Sequence, residues 1–341
     1  MRLYWQRGPA FKGLQLGGLE FRTELSAGRL EITKSFKIES SAPACQVAIK
    51  LRSRYIHITD NRDLQVMRRK ARILILCKTY PTPSAAHAET SCVAGMDADG
   101  NLVRLYPVPF RLVTEEQKFA KWQWIEASIE KSPGDHRPES HKIGVDTIRG
   151  LETIPTEKTW GKRREMLDRL PIYESFESLD QARLEFGVTL GMVRPGRILG
   201  LNIKKASSET WTEEELEKLE KLQRQPGLFD QDDVKSSLKR LEKVPFDFYY
   251  SYECTVEGAP VVHTHKIVDW EASQLYRNLR RAHGASGWET PFRKKLEEEL
   301  PSKDLMLLMG TIHRFPHQWL IISLIYPPKQ PPGADQQMSL F

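Results

Sequence analysis

The stretch MRRKARILILCKTYP, residues 67–81, decides how this chain is read. A basic lead runs into RILILC (72–77), a continuous apolar run of strand length. Next come TSCVAGM (90–96), the turn DADG and NLVRLYPV (101–108), two strand-like runs around a Gly-containing turn, hence a β-hairpin. WQWIEASI (122–129) alternates with period two, and HKIGVDTI (141–148), VTLGMV (188–193) and RILGLNIKK (197–205) add further short strands. One helical insertion, TWGKRREMLDRL (159–170), falls among them. Many short strands separated by Gly and Pro turns predict a closed or nearly closed barrel over residues 71–205. The version expected is a small OB-like barrel in a mostly β, α+β chain.

Downstream the texture changes. Residues 207–245 are highly charged, and Thr212 with Glu215 forms a capping box, so a helix is expected from about 213 with Leu216, Leu219 and Leu222 as its apolar stripe. Pro226-Gly227 breaks it, and a second helix from about 232 would turn Val234, Leu238 and Leu241 inward. Residues 206–243 therefore read as a helical hairpin linker. PFDFYYSYECTV, EGAP and VVHTHKIV then make a second hairpin. Asp269 caps a helix carrying Ala272, Leu275, Tyr276 and Leu279, and Thr290-Pro291 opens another. DLMLLMGTI (304–312) and WLIISLIY (319–326) are buried-type strands, which gives a ββααββ domain over 244–328 and a flexible tail over 329–341.

The 341 residues are 40% hydrophobic and 28% charged, as in a globular protein. No run approaches the ~18 apolar residues of a membrane span, and the opening lacks a secretory h-region. The four cysteines, Cys45, Cys77, Cys92 and Cys254, form no CxxC pair, which suits a reducing cytoplasm and argues against a disulfide scaffold or zinc ribbon. The net charge of +6 is concentrated at the front. Residues 1–70 hold 14 Lys/Arg and 6 Asp/Glu, against 37 and 39 in the rest. Bulk charge alone therefore does not make the body a DNA-binding domain. Residues 1–66 show Gly-rich breaks and no sustained period. They read as an extension ahead of a second start at Met67, or as a small basic β-rich subdomain.

No P-loop, GxGxxG, GxSxG or HExxH motif occurs. The most catalytic-looking stretch is DHRPESHK (135–142), where Asp135, Glu139, His141 and Lys142 could position a metal and a water for phosphodiester cleavage. Glu139 and Lys142 lie three apart, and Pro133-Gly134 and Pro138 mark a loop, so the default is a solvated polar loop. His263 and His265 alternate on one strand face without a visible third metal ligand. No metal and no cofactor are expected. Lys78, Arg104, Tyr106, Arg111, Trp122 and Trp124 interleave cations with aromatic faces, as in barrels that stack bases and hold phosphates. Trp122 and Trp124 share a face by their spacing and serve either as that platform or as core.

Two resemblances extend this reading. CVAGMDADGNLVRLYPVPFR (92–111) resembles the C-x-A-G…G-x-W-x-R hairpin of bacterial dual-OB-type proteins from conflict and defence loci, with Leu102-Val103 where that pattern carries Trp. The chain also resembles uncharacterised bacterial proteins that begin with a KTYP-type strand and end in a Trp-containing apolar strand. Gln337-Met338-Ser339-Leu340-Phe341 closely resembles the Gln-Leu-Ser/Asp-Leu-Phe peptide by which bacterial polymerases and repair proteins bind the replication sliding clamp, with Met338 as the one departure. The Pro-rich PPKQPPGAD before it is a semi-rigid tether, extended at about 3.1 Å per residue. Gln225, Leu228 and Phe229 repeat the Gln-x-x-Leu-Phe skeleton inside the hairpin, where a Pro-Gly helix break with two apolar anchors is the stronger reading.

Together these imply a cytoplasmic, nucleoid-associated accessory protein that binds DNA or single-stranded nucleic acid and docks on the sliding clamp, in DNA repair or anti-phage defence. A non-catalytic role is expected. The rivals are a metal-dependent nuclease using Asp135 and Glu139, and a protein-binding adaptor of a defence system.

Overall fold

The computed structural model describes residues 19–26, 29–36, 68–84, 88–111, 113–223 and 241–330. The chain divides into one unit over Met1–Arg62 and another over Asp63–Phe341. In the first, β1 (Leu19–Ser26) and β2 (Arg29–Phe36) form an antiparallel hairpin, so this part is strand-forming.

The second unit begins with β3 (Arg69–Lys78), followed by β4 (Thr82–Ser84), β5 (Ala88–Asp97), β6 (Leu102–Val108), β7 (Gln123–Lys131), β8 (Ser140–Ile143) and β9 (Arg149–Thr153). Strand β3 pairs with β5, β5 with β6, β6 with β8, β8 with β7, and β7 back onto β3. Five strands thus close a barrel, with β6 and β8 parallel and the other pairs antiparallel. The β5–β6 turn forms as its sequence dictates. Asp97 Oδ1 accepts the N–H groups of Asp99 at 3.0 Å and Asn101 at 2.9 Å, and Gly100 takes φ +86°, a conformation glycine adopts without steric cost.

The RILILC run owes its unbroken apolarity to burial on both faces. Ile73 and Ile75 point into the barrel with Val93, Val103, Leu105, Ile125, Ala127 and Ile129. Leu74 and Leu76 point outward and pack with Met306, Leu308, Ile322 and Ile325 of a second sheet. That sheet runs β10 (Ile172–Tyr173), β11 (Leu190–Val193), β15 (Met306–Ile312), β16 (Phe315–Ile325), β14 (Ala259–Ile267), β13 (Phe246–Val256) and β12 (Arg197–Lys205). Strand β15 alternates between the two sides: Met306 and Leu308 face the barrel, while Leu307 and Met309 join a core with Tyr276, Trp288 and Phe292 from the helices. The unit is therefore layered as barrel, sheet and helices.

The helices are α1 (Gly161–Leu167), α2 (Phe176–Phe186), α3 (Glu213–Gln223), α4 (Trp270–Gly287) and α5 (Glu289–Arg293), the last continuing as a π-helical stretch over Lys294–Glu299. The expected caps form. Thr212 and Glu215 exchange bonds at 2.8 and 3.2 Å, and Asp269 accepts the Glu271 N–H at 2.7 Å. Among the described residues no helix is long and apolar enough to cross a membrane.

One expectation is corrected. Strands β11 and β12, read along the chain as parts of a barrel spanning 71–205, pair instead inside the second sheet, on β15 and β13. The barrel closes by Ile143, with β9 added on β7. The ββααββ order over 244–328 is present as β13, β14, α4, α5, β15 and β16, but its sheet also takes in β10–β12. The second half of the expected linker hairpin lies outside the described residues.

Gly95 marks a close approach of β5 to β3. A Cβ there would collide with the Leu74 carbonyl oxygen and sit 2.7 Å from Ile73 Cγ2. Gly95→Ala should therefore destabilise the protein by about 1–3 kcal/mol, as overpacking does. A denaturant midpoint indistinguishable from the parent would contradict this close contact.

Candidate functional site

A cleft of about 840 Å³ opens between the barrel and the second sheet. On the barrel side it is walled by residues 79–82 after β3, by Thr90 and Cys92 of β5, by Arg104 and Tyr106 of β6, and by the loop between β7 and β8. On the other side stand Phe246, Asp247 and Phe248 of β13, Lys266 and Ile267 of β14, and the β15–β16 turn with His313 and Arg314. Trp211 and Lys243 also line it. Six Lys/Arg side chains and two carboxylates line the cleft, so its field favours anions.

Strand alternation places the first cation. Val103 and Leu105 face the barrel interior, so Arg104 and Tyr106 face outward. Arg104 is only 2% exposed, and its guanidinium donates to the Thr189 carbonyl oxygen at 2.8 Å and the Thr189 hydroxyl at 3.4 Å. Burial lowers its pKa, yet a guanidinium stays charged in proteins. Two residues on, Tyr106 is 44% exposed and presents its ring to the cleft.

The β7–β8 loop is stapled down by its own charges. Arg137 Nε donates to Asp135 Oδ1 at 2.9 Å and Nη2 to Oδ2 at 2.6 Å, while Nη1 reaches the Thr311 carbonyl oxygen at 2.8 Å. Burial pushes the Asp135 carboxyl up, but the Arg137 bonds outweigh it and hold the group well below the usual carboxylate range. Glu139 accepts from the Thr189 N–H at 2.8 Å and the Thr189 hydroxyl at 2.6 Å. His141 Nδ1 lies 2.8 Å from the Glu139 carbonyl oxygen, and burial lowers its pKa. Lys142 is exposed and lines the cleft.

The two carboxylates of the nuclease alternative, Asp135 and Glu139, are held by different partners. One is tied to Arg137, and both oxygens of the other are tied to Thr189. The structure instead brings His313, from the β15–β16 turn, beside Asp135 and His136. Their donor atoms all lie within 4.8 Å of one another, the one such group among the described residues. Nothing in the spacing of 135 and 136 foretells His313. The only local signal was a polar, His- and Arg-bearing turn, HRFPHQ, between two apolar strands.

The aromatic assignments also change. Trp122 and Trp124 do share a face, but at 4% and 8% exposure both belong to the apolar layer between barrel and sheet. The Arg163 guanidinium lies 5.0 Å from the Trp122 ring, and the Arg72 guanidinium 4.9 Å from the Trp124 ring. Neither tryptophan can stack a base. Lys78 is turned onto aromatic rings, with Nζ 3.7 Å from the Phe110 centroid, and donates to the Phe119 carbonyl oxygen at 2.9 Å. Burial pushes its ammonium down to about 8. Arg111 pairs with the buried Glu89 at 2.9 Å. Arg104 is a structural cation at the cleft wall rather than an exposed phosphate contact.

His263 and His265 lie on one face of β14, but each has a neighbour from elsewhere. His263 Nε2 is 2.7 Å from Glu177 Oε1, and His265 Nδ1 is 3.0 Å from the Tyr252 hydroxyl. Burial, and then the His263 charge, pushes His265 down to about 4, so it is neutral at physiological pH. Gln225, Leu228, Phe229 and Gln337, Met338, Leu340, Phe341 lie outside the described residues.

Residues 69–169, which hold the barrel, β9 and α1, match a family model described as a domain of unknown function, DUF8758. Residues 173–341, which hold the second sheet from β11 onward, match a second model with the same description, DUF8757. No curated protein matches the chain.

Proposed function

We propose that this chain is a nucleic-acid-binding accessory protein that holds a single strand in the cleft and docks on a bacterial sliding clamp through Gln337–Phe341, in DNA repair or anti-phage defence. The observation that carries the first half is the composition of the cleft. Six cationic side chains, of which Arg104 and Arg137 are buried structural groups, stand against two carboxylates, and Tyr80, Tyr106, Trp211 and Phe246 offer aromatic faces beside them. Phosphates favour the former and bases the latter.

The barrel reads as OB-like. Numbered within the barrel, its strands run 1-2-3-5-4 and close back on 1. OB-folds take oligonucleotides on the face of strands 2 and 3 and on the loops joining 1 to 2 and 4 to 5. The corresponding parts here, β5, β6, residues 79–82 and the β7–β8 loop, all line the cleft. The second half rests on the Gln-Met-Ser-Leu-Phe sequence and its Pro-rich tether.

Fluorescence anisotropy with a short labelled single strand tests the cleft. Binding is expected at low salt and should weaken steeply as salt rises, because phosphate contacts release counterions. Tyr106→Ala should weaken it by roughly 1–3 kcal/mol, the value of one base stacked on an aromatic ring. Lys142→Glu with Arg314→Glu should weaken it further. Absence of binding at low salt, or equal affinity of the parent and all variants, would overturn the proposal.

A further inference from the structure

We propose that Asp135, His136 and His313 form a binding site for a borderline divalent transition-metal ion of the Zn²⁺ class, at the rim of the cleft. This inference goes beyond the nucleic-acid reading and does not depend on it. The three side chains come from two segments far apart in sequence, the β7–β8 loop and the β15–β16 turn, which the fold brings together.

The donor set is two imidazoles and one carboxylate. That mixture suits Zn²⁺, Co²⁺ or Ni²⁺ better than Mg²⁺ or Ca²⁺, which take oxygen ligands. Arg137 fixes the orientation of the Asp135 carboxylate through two side-chain bonds. Three N–H groups reach it, the Arg137 backbone N–H at 3.1 Å and the two from the side chain.

The imidazoles are equally placed. His136 and His313 are exposed, with their rings stacked at a centroid distance of 5.3 Å and an interplanar angle of 29°. His313 Nε2 lies 3.9 Å from Asp135 Oδ1 and 3.1 Å from the Gly134 carbonyl oxygen. Ligands sharing one tetrahedral ion at about 2.0–2.2 Å sit roughly 3.4 Å apart, so binding tightens the group by side-chain rotation and exchanges the Gly134 contact for the metal. Three protein ligands leave a coordination position open, and Asp135 and His313 both line the cleft. An anionic oxygen of a bound ligand fits that position.

The test uses the untagged full chain, stripped with a chelator and titrated with Zn²⁺ by calorimetry and with Co²⁺ by visible absorption. One ion per chain is expected. Binding should be lost in His136→Ala and in His313→Ala, lost or strongly weakened in Asp135→Asn, and kept when His263 and His265 are both changed to Ala. Mg²⁺ in excess should not compete. Both histidines are exposed, so their variants should melt like the parent. No binding of either ion, or binding that survives in both single-histidine variants, would overturn the site. Single-strand binding measured in chelator, without metal, keeps the two proposals separable.

Discussion

Removing Gln337–Phe341, or changing Leu340 and Phe341 to Ala, should lower affinity for a bacterial sliding clamp by about a hundredfold or more and leave the melting temperature unchanged. Burying a Leu and a Phe in a preformed apolar pocket is worth roughly 1.5–3 kcal/mol each. Losing both would therefore remove two orders of magnitude or more from the proposed contact. The Gln337 amide would set register by hydrogen bonds, and Met338 replaces the usual Leu with little change of volume. The stability half of the expectation follows from the Pro-rich stretch 327–335, which separates this peptide from the last strand. A tail folded onto its own domain predicts the reverse, a clear drop in melting temperature with clamp affinity unchanged. A melting curve and a clamp-binding isotherm on the same truncated protein decide between them. If affinity survived truncation, Gln225–Phe229 would be the segment to change next.

Trp122→Ala and Trp124→Ala should each destabilise the protein by about 3–5 kcal/mol, the cost of truncating a buried indole. Both rings sit in the layer where Leu74, Leu76 and Ala94 of the barrel meet Leu190, Met192, Met306 and Leu308 of the second sheet. Either truncation opens a cavity between two regular surfaces that cannot collapse freely. Single-strand affinity, expressed per folded molecule, should be unchanged, because neither ring reaches the cleft. Denaturant unfolding of each variant, with binding measured well below the transition, checks both halves. A variant with parental stability and abolished binding would return these rings to the role of a base-stacking platform.

The contrast between Trp124 and Tyr106 shows how far sequence reading reaches into the site. Both are aromatics on barrel strands, with a cation, Arg104, two positions from Tyr106 and another, Arg72 of the neighbouring strand, 4.9 Å from the Trp124 ring. Period-two spacing correctly puts Trp122 with Trp124, and Arg104 with Tyr106, on common faces. It says nothing of what lies opposite each face. A second sheet covers one pair, while the other straddles the wall and the opening of a cleft. The same limit explains why Glu139 looked like a metal ligand: its partner, Thr189, is distant along the chain.

What the sequence determined by itself is the set of features whose causes are local. The DADGN turn is set by one aspartate and one glycine. The starts of α3 and α4 are set by Thr212 with Glu215 and by Asp269. The strand character of RILILC follows from six adjacent residues. What only the tertiary structure decided is which strands share a sheet and which loops meet. Strands β11 and β12 read like barrel strands, yet their hydrogen-bond partners are β15 and β13. A strand's sequence specifies that it must pair and which faces it must bury, but the pairing partner is chosen by non-local closure and packing. His313 stands beside Asp135 for the same reason: the β15–β16 turn is delivered there by the sheet, and no spacing along the chain encodes that meeting.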